Sequence, residues 1–176
     1  MGFQGLIQVY TGNGKGKTTA ALGLALRAAG HGMKTYVAQF MKKGEYGELL
    51  AAARHLAGLV TIEQFGLPEF HHQGEGVRPE ETACAEAGLA AAAAALSSGR
   101  FQIVVLDEIN TLLHFKIIAV DPVLRLMDGK PEGVELVLTG RYAPPAVLDR
   151  ADLVTEMRDV RHYFQKGVQA RIGIEK

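Results

Sequence analysis

The chain has 176 residues, 48% hydrophobic and 22% charged, a balance typical of a folded globular protein, which excludes disorder or a coiled coil over the whole length. Its 19 Lys+Arg offset 19 Asp+Glu, so it has no net electrostatic footprint for nucleic acid or an anionic membrane. The one cysteine, Cys84, allows no internal disulfide and points to a reducing compartment.

The predicted elements alternate. Residues 6–10 form an apolar run of strand length, and a Gly-rich stretch leads from it into a helix over 18–31 that stops at His31-Gly32. A second strand is expected at 35–40, a short amphipathic helix at 48–56 and a third strand at 60–65. The segment 66–78 is the longest without a pattern, and such loops are often functional. Pro79-Glu80-Glu81 suits a first helical turn, and the alanines behind it carry the helix over 79–96. Strands follow at 103–106 and 134–138, with a helix over 121–127 between them, and a sixth strand is expected at 153–157. Most of these strands are continuously apolar, which implies burial on both faces of a parallel sheet. The expected fold is a single α/β domain over 1–176 of the phosphate-loop type. It has three layers, with a mostly parallel sheet of five or six strands and helices on both faces.

No apolar run approaches the roughly 20 residues of a membrane helix. Residues 1–10 lack a secretory pattern, and Leu6 stands where a myristoylation signal after Gly2 needs Ser or Thr. A cytoplasmic protein, with no membrane or nucleic-acid partner, is expected.

The chemistry-bearing signal is Thr11-Gly12-Asn13-Gly14-Lys15-Gly16-Lys17-Thr18-Thr19, placed between a strand and a helix. Gly16-Lys17-Thr18 matches the end of the G-x-x-x-x-G-K-[ST] pattern, although Thr11 occupies its first Gly position. Glycines let backbone N–H groups turn toward an anion, the helix adds its positive end, Lys17 reaches phosphate oxygens and Thr18 can ligate Mg²⁺. Lys15 adds a second cation. The strand at 103–106 delivers Asp107 and Glu108 at its carboxyl end, where ligands of open α/β sheets bind. Asp107 reads as a helix N-cap when taken alone. Beside a phosphate loop, it reads as a metal carboxylate, and Glu108 as a second ligand or a base that orients a nucleophile. Arg141 follows another strand and reads equally as a site residue or a turn arginine. Arg27, ten residues beyond Lys17, reads on spacing as a surface ion pair. His71-His72 read as solvated loop residues and Cys84 as a small buried hydrophobe.

Residues 9–21, with Arg27-Ala28-Ala29-Gly30-His31-Gly32, Gln39-Phe40, Leu106-Asp107-Glu108-Ile109-Asn110, Leu138-Thr139-Gly140-Arg141, the run 151–157 and Gly173-Ile174-Glu175, resemble the corrinoid adenosyltransferases in order and over nearly the whole chain. The resemblance implies transfer of the 5′-deoxyadenosyl group of ATP to the cobalt of a reduced corrinoid, with release of triphosphate. It implies ATP held in reversed orientation by residues 12–18 and a metal carboxylate at Glu108 beside Asp107. Arg27 becomes a site residue on this view, and Asn13 lies near the nucleoside. It further implies Mg²⁺, a flavin-type reductase and a homodimer. Relatives shed the lower cobalt ligand against a Phe and a Trp; this chain has no Trp, leaving Phe65 and Phe70 as corrinoid-side candidates. The extension that often precedes the first strand in relatives, and their C-terminal aromatic residue, have no counterpart here, so closure is expected from the 66–78 loop or a partner subunit. A phosphate-loop ATPase or small kinase, and a nucleotide-gated corrinoid carrier, are the alternatives.

Overall fold

A computed structural model describes residues 3–68 and 76–175. Six strands, β1 (Ile7–Thr11), β2 (Thr35–Phe40), β3 (Val60–Phe65), β4 (Ile103–Asp107), β5 (Glu135–Thr139) and β6 (Leu153–Glu156), form one sheet in the order β3-β2-β4-β5-β1-β6. Every neighbouring pair is parallel, so the sheet expected to be mostly parallel is wholly so. Among the described residues six helices accompany it: α1 (Lys17–Ala29), α2 (Gly47–His55), α3 (Pro79–Ser97), α4 (Ile109–His114), α5 (Val120–Asp128) and α6 (Pro145–Leu148), with a 3-10 turn at Tyr163–Lys166.

Side chains of a strand alternate between faces, and the core divides accordingly. On one face Val9, Ala38, Phe40, Val104, Leu106, Leu136 and Leu138 pack with buried residues of α3, α4, α5 and α6. On the other, Val37, Val105 and Val137 pack with Ala21, Ala25 and Ala28 of α1 and Ala52 of α2. These are the three layers expected. Helix α3 approaches β2 and β3 through a stripe of small residues, Ala85, Gly88, Ala92 and Ala95. A β-carbon on Gly88 would lie 2.5 Å from Phe40 and 2.7 Å from Phe65, so no larger residue fits there unless the rings move.

Several boundaries differ by a residue or two. Strands β1 and β5 run one residue further, to Thr11 and Thr139, because the ladders continue through the Thr11–Glu156 and Tyr10–Thr139 pairs. Helix α1 stops at Ala29, and Gly32 completes the turn at φ +73°. Helices α4 and α6 are too short to show a period in the sequence. Cys84, expected to be buried, is half-buried. Among the described residues no helix is long and apolar enough to cross a membrane.

Candidate active site

The carboxyl ends of the parallel strands gather the predicted residues into one cleft of about 440 Å³. Residues 12–16 connect β1 to α1. Gly16, the residue before α1, has φ +120°, a conformation that favours glycine. Gly14 is fixed by a long-range clasp: its N–H donates to the Met157 carbonyl at 2.7 Å, and a β-carbon there would lie 2.8 Å from the Arg158 backbone. Lys17 is buried and donates to the carbonyls of Gly12 and Gly14, both at 2.7 Å. Burial is the main reason its ammonium titrates below the usual lysine range; Glu108 and Asp107 oppose the shift and Arg141 adds to it. The opening amides of α1 have no partner within the helix, and Lys17, Thr18 and Thr19, which carry them, line the same cleft.

Asp107, almost wholly buried, is the second centre. One carboxylate oxygen accepts from Thr18 Oγ1 at 2.8 Å and Thr139 Oγ1 at 2.7 Å; the other accepts from Lys42 Nζ at 2.8 Å. Asp107 therefore does not cap α4, whose N-cap is Glu108, in the left-handed region at φ 67°. Glu108 accepts from Thr111 Oγ1 at 2.6 Å, and its N–H donates to Thr139 Oγ1 at 2.9 Å. Lys42 reaches the site through Met41, a non-glycine residue at φ 56° just past β2. Such a conformation costs on the order of 1–3 kcal/mol and persists where its surroundings enforce it. Burial works against the Lys42 charge, yet Asp107 in contact, with Glu108 and Glu48 beyond, raises its pKa above the usual value.

The segment 173–175 forms part of the cleft wall. Lys15 Nζ donates to the Ile174 carbonyl at 3.3 Å and lies 4.0 Å from Glu175. The Glu175 carboxylate also accepts from Arg171 and from the Tyr163 hydroxyl. Hydrogen bonding from Arg171, then from Tyr163, brings its pKa down to about 2. A second hollow, bounded by Arg141, Asp159, His162, Phe164 and Gln165, adjoins the cleft through Arg141 and His162.

The structure thus brings Gly14, Lys15, Gly16, Lys17, Thr18, Thr19, Glu108 and Arg141 to one cleft, with Asp107 bonded to Thr18 beneath it. Thr11, Gly12 and Asn13 form the back of the loop; Thr11 Oγ1 accepts from the Ala143 N–H at 3.2 Å. Arg27 is exposed nearly three turns beyond Lys17 along α1, away from the cleft, and forms no ion pair among the described residues. Phe65 packs against Phe40 with ring centroids 6.2 Å apart and lines a separate small cavity with Gly66 and Leu112. Phe70, His71 and His72 lie outside the described residues. Lys42, Gln39, Glu48 and Thr139 were not singled out by pattern. All but Glu48 stand at strand carboxyl ends, the one signal that could have marked them.

A parallel sheet with a glycine loop before α1 and an acidic strand end beside it defines a phosphate-loop nucleotide-binding fold. A KaiC-like protein from Pyrococcus horikoshii shares that fold, with a TM-score of 0.58 and 17% identity over 91% of this chain and 76% of the other. The family model of the ATP:corrinoid adenosyltransferases BtuR/CobO/CobP matches residues 3–175. The corrinoid adenosyltransferase of Pseudomonas aeruginosa is 37% identical over 98% of this chain and 84% of its own length. For the corrinoid adenosyltransferase CobA of Salmonella typhimurium the figures are 37%, 98% and 86%, and for the Escherichia coli K12 enzyme 35%, 98% and 86%. The chain belongs to the ATP:corrinoid adenosyltransferase family, and it is a transferase.

Proposed function

We propose that the protein transfers the 5′-deoxyadenosyl group of ATP to the Co(I) of a reduced corrinoid, cobalamin or a cobyrinate a,c-diamide. The observation that carries this reading is one cleft in which Lys15, Lys17, Lys42 and Arg141 meet at the start of α1, among the carboxylates of Glu48, Glu108 and Glu175. The Co(I) electron pair forms the bond to C5′, the C5′–O5′ bond breaks, and its electron pair leaves on the triphosphate. Cobalt carries no proton, so no general base is needed. The protein's task is to stabilise negative charge building on the leaving oxygen, which preorganised N–H donors and lysines do well. Lys17 would exchange its two loop carbonyls for phosphate oxygens, while Lys15 and Arg141 flank them.

The donor set fits a small hard cation. Thr18 and Asp107 offer oxygen ligands 2.8 Å apart and Glu108 a third. Among the described residues no cluster of three His, Cys, Asp or Glu could cage a metal. One or two carboxylates, with waters and phosphate oxygens, is the usual Mg²⁺ arrangement. Mg²⁺ held there would supply positive charge to the triphosphate. Gly12, Asn13 and Thr19 complete the loop's contacts on this reading, and Phe65 and Phe70 remain candidates for the corrinoid side. Arg27 would act there only across a partner subunit. A single domain working as a homodimer, a flavin-type reductase as electron donor and a cytoplasmic setting complete the proposal.

The test is anaerobic. With Mg·ATP and chemically reduced cob(I)alamin, the Co(I) absorption should decay, adenosylcobalamin should grow, and triphosphate should form one for one. Persistence of Co(I) while ADP and phosphate appear would replace transfer by hydrolysis. Corrinoid binding without alkylation would point to a carrier.

A further inference from the structure

Lys42 has a place in the cleft that phosphate binding does not explain. Its ammonium lies 2.8 Å from Asp107 Oδ2 and 3.4 Å from Thr18 Oγ1. Thr18 gives its proton to Asp107 Oδ1, so what it offers Lys42 is a lone pair. The ammonium therefore contacts the free acceptor sites of two of the three groups that would hold a divalent cation. Three carboxylates, Asp107, Glu108 and Glu48, act on it. Its position is built in. Gln39 pairs in register with Asp107 across β2 and β4, and Met41 at φ 56° turns the chain toward the strand end. The Gly66 backbone packs so closely on this turn that a β-carbon there would lie 2.5 Å from the Lys42 backbone nitrogen.

We infer that Lys42 is an internal placeholder cation: it stands on the acceptor sites of Asp107 and Thr18 that a divalent metal would use, and is displaced from them when metal and nucleotide load together. The inference rests on the nucleotide–metal reading of the cleft. A site holding its own cation has reduced affinity for the metal alone, because the incoming ion must compete with a bound positive charge. A metal–triphosphate complex keeps net negative charge on its phosphate oxygens, to which the displaced ammonium can transfer. Loading is therefore concerted, and free divalent ions are turned away.

The experiment measures Mn²⁺ binding to the full chain without nucleotide, by the paramagnetic resonance of free Mn²⁺. Wild type should bind weakly. Lys42→Met should bind tighter by about tenfold or more, since a like charge at contact distance is removed. Lys42→Arg should stay near wild type. An unchanged or weakened Mn²⁺ affinity in Lys42→Met overturns the inference. A wild-type measurement guards against misfolding of the variant: millimolar Mn²⁺ alone should increase acetylation of Lys42 in a mass-spectrometric footprint. Unchanged acetylation with Mn²⁺ bound also overturns it. If wild type binds Mn·ATP but Lys42→Met shows no gain, this inference fails alone; if wild type binds neither, the nucleotide reading falls with it.

Discussion

Lys17 donates to two carbonyls of the loop that carries it, so the loop is held in shape by the residue that, on the proposed function, exchanges them for phosphate oxygens. Replacing Lys17 by Ala should lower the adenosylation kcat by roughly 10²–10³-fold, the size of losing one preorganised donor to a developing oxyanion. ATP affinity, measured by calorimetry, should fall with it; full activity in this variant would remove Lys17 from the chemistry. At this scale much was legible. The glycine–lysine–threonine run and the acidic strand end each have a pattern that needs no tertiary knowledge. Lys42 and Thr139 have none. They become neighbours of Asp107 only because β2 and β5 flank β4, and strand order is not written in local sequence. Arg27 shows the reverse case: its helix was read correctly, and the helix itself carries it away from the cleft.

Helix α3 was readable from its alanines, but the sequence did not explain why they are alanines. The stripe Ala85, Gly88, Ala92 and Ala95 lets the helix lie close on β2 and β3, with Gly88 against the rings of Phe40 and Phe65. Gly88→Ala gains up to about 1 kcal/mol of helix propensity but overpacks a site whose neighbours are stiff rings, at a cost of about 1–3 kcal/mol. With the full propensity gain, a net loss of up to about 2 kcal/mol is expected, read as a melting temperature lower by up to about 8 °C; a stabilised variant would show that the rings yield. The short helices α4 and α6 escaped notice because four to six residues cannot display a 3.6-residue period.

Across the whole molecule, the tail is tied to the cleft by charge. Glu175, with its pKa brought down to about 2 by Arg171 and Tyr163, favours the closed tail when ionised. That contribution is complete above the carboxyl's ordinary value near 4.3 and is lost as pH falls from there through about 2. Tyr163 ring signals in NMR should therefore shift toward free-tail values over that interval. Glu175→Gln should show the free-tail values already at pH 7. A pH-independent Tyr163 signal would mean that the carboxylate does not hold the tail.

The clasp between Gly14 and Met157 ties one of the first functional segments to one of the last, and β1 lies between β5 and β6. On a ribosome adding about 5–20 residues per second, the loop is synthesised on the order of ten seconds before the backbone that shapes it. A nascent chain lacking β6 therefore has the loop's sequence without its geometry. On the proposed function, competence to bind nucleotide therefore arises only after residue 157 has been made. Contacts this distant in sequence also make the sheet slow to close.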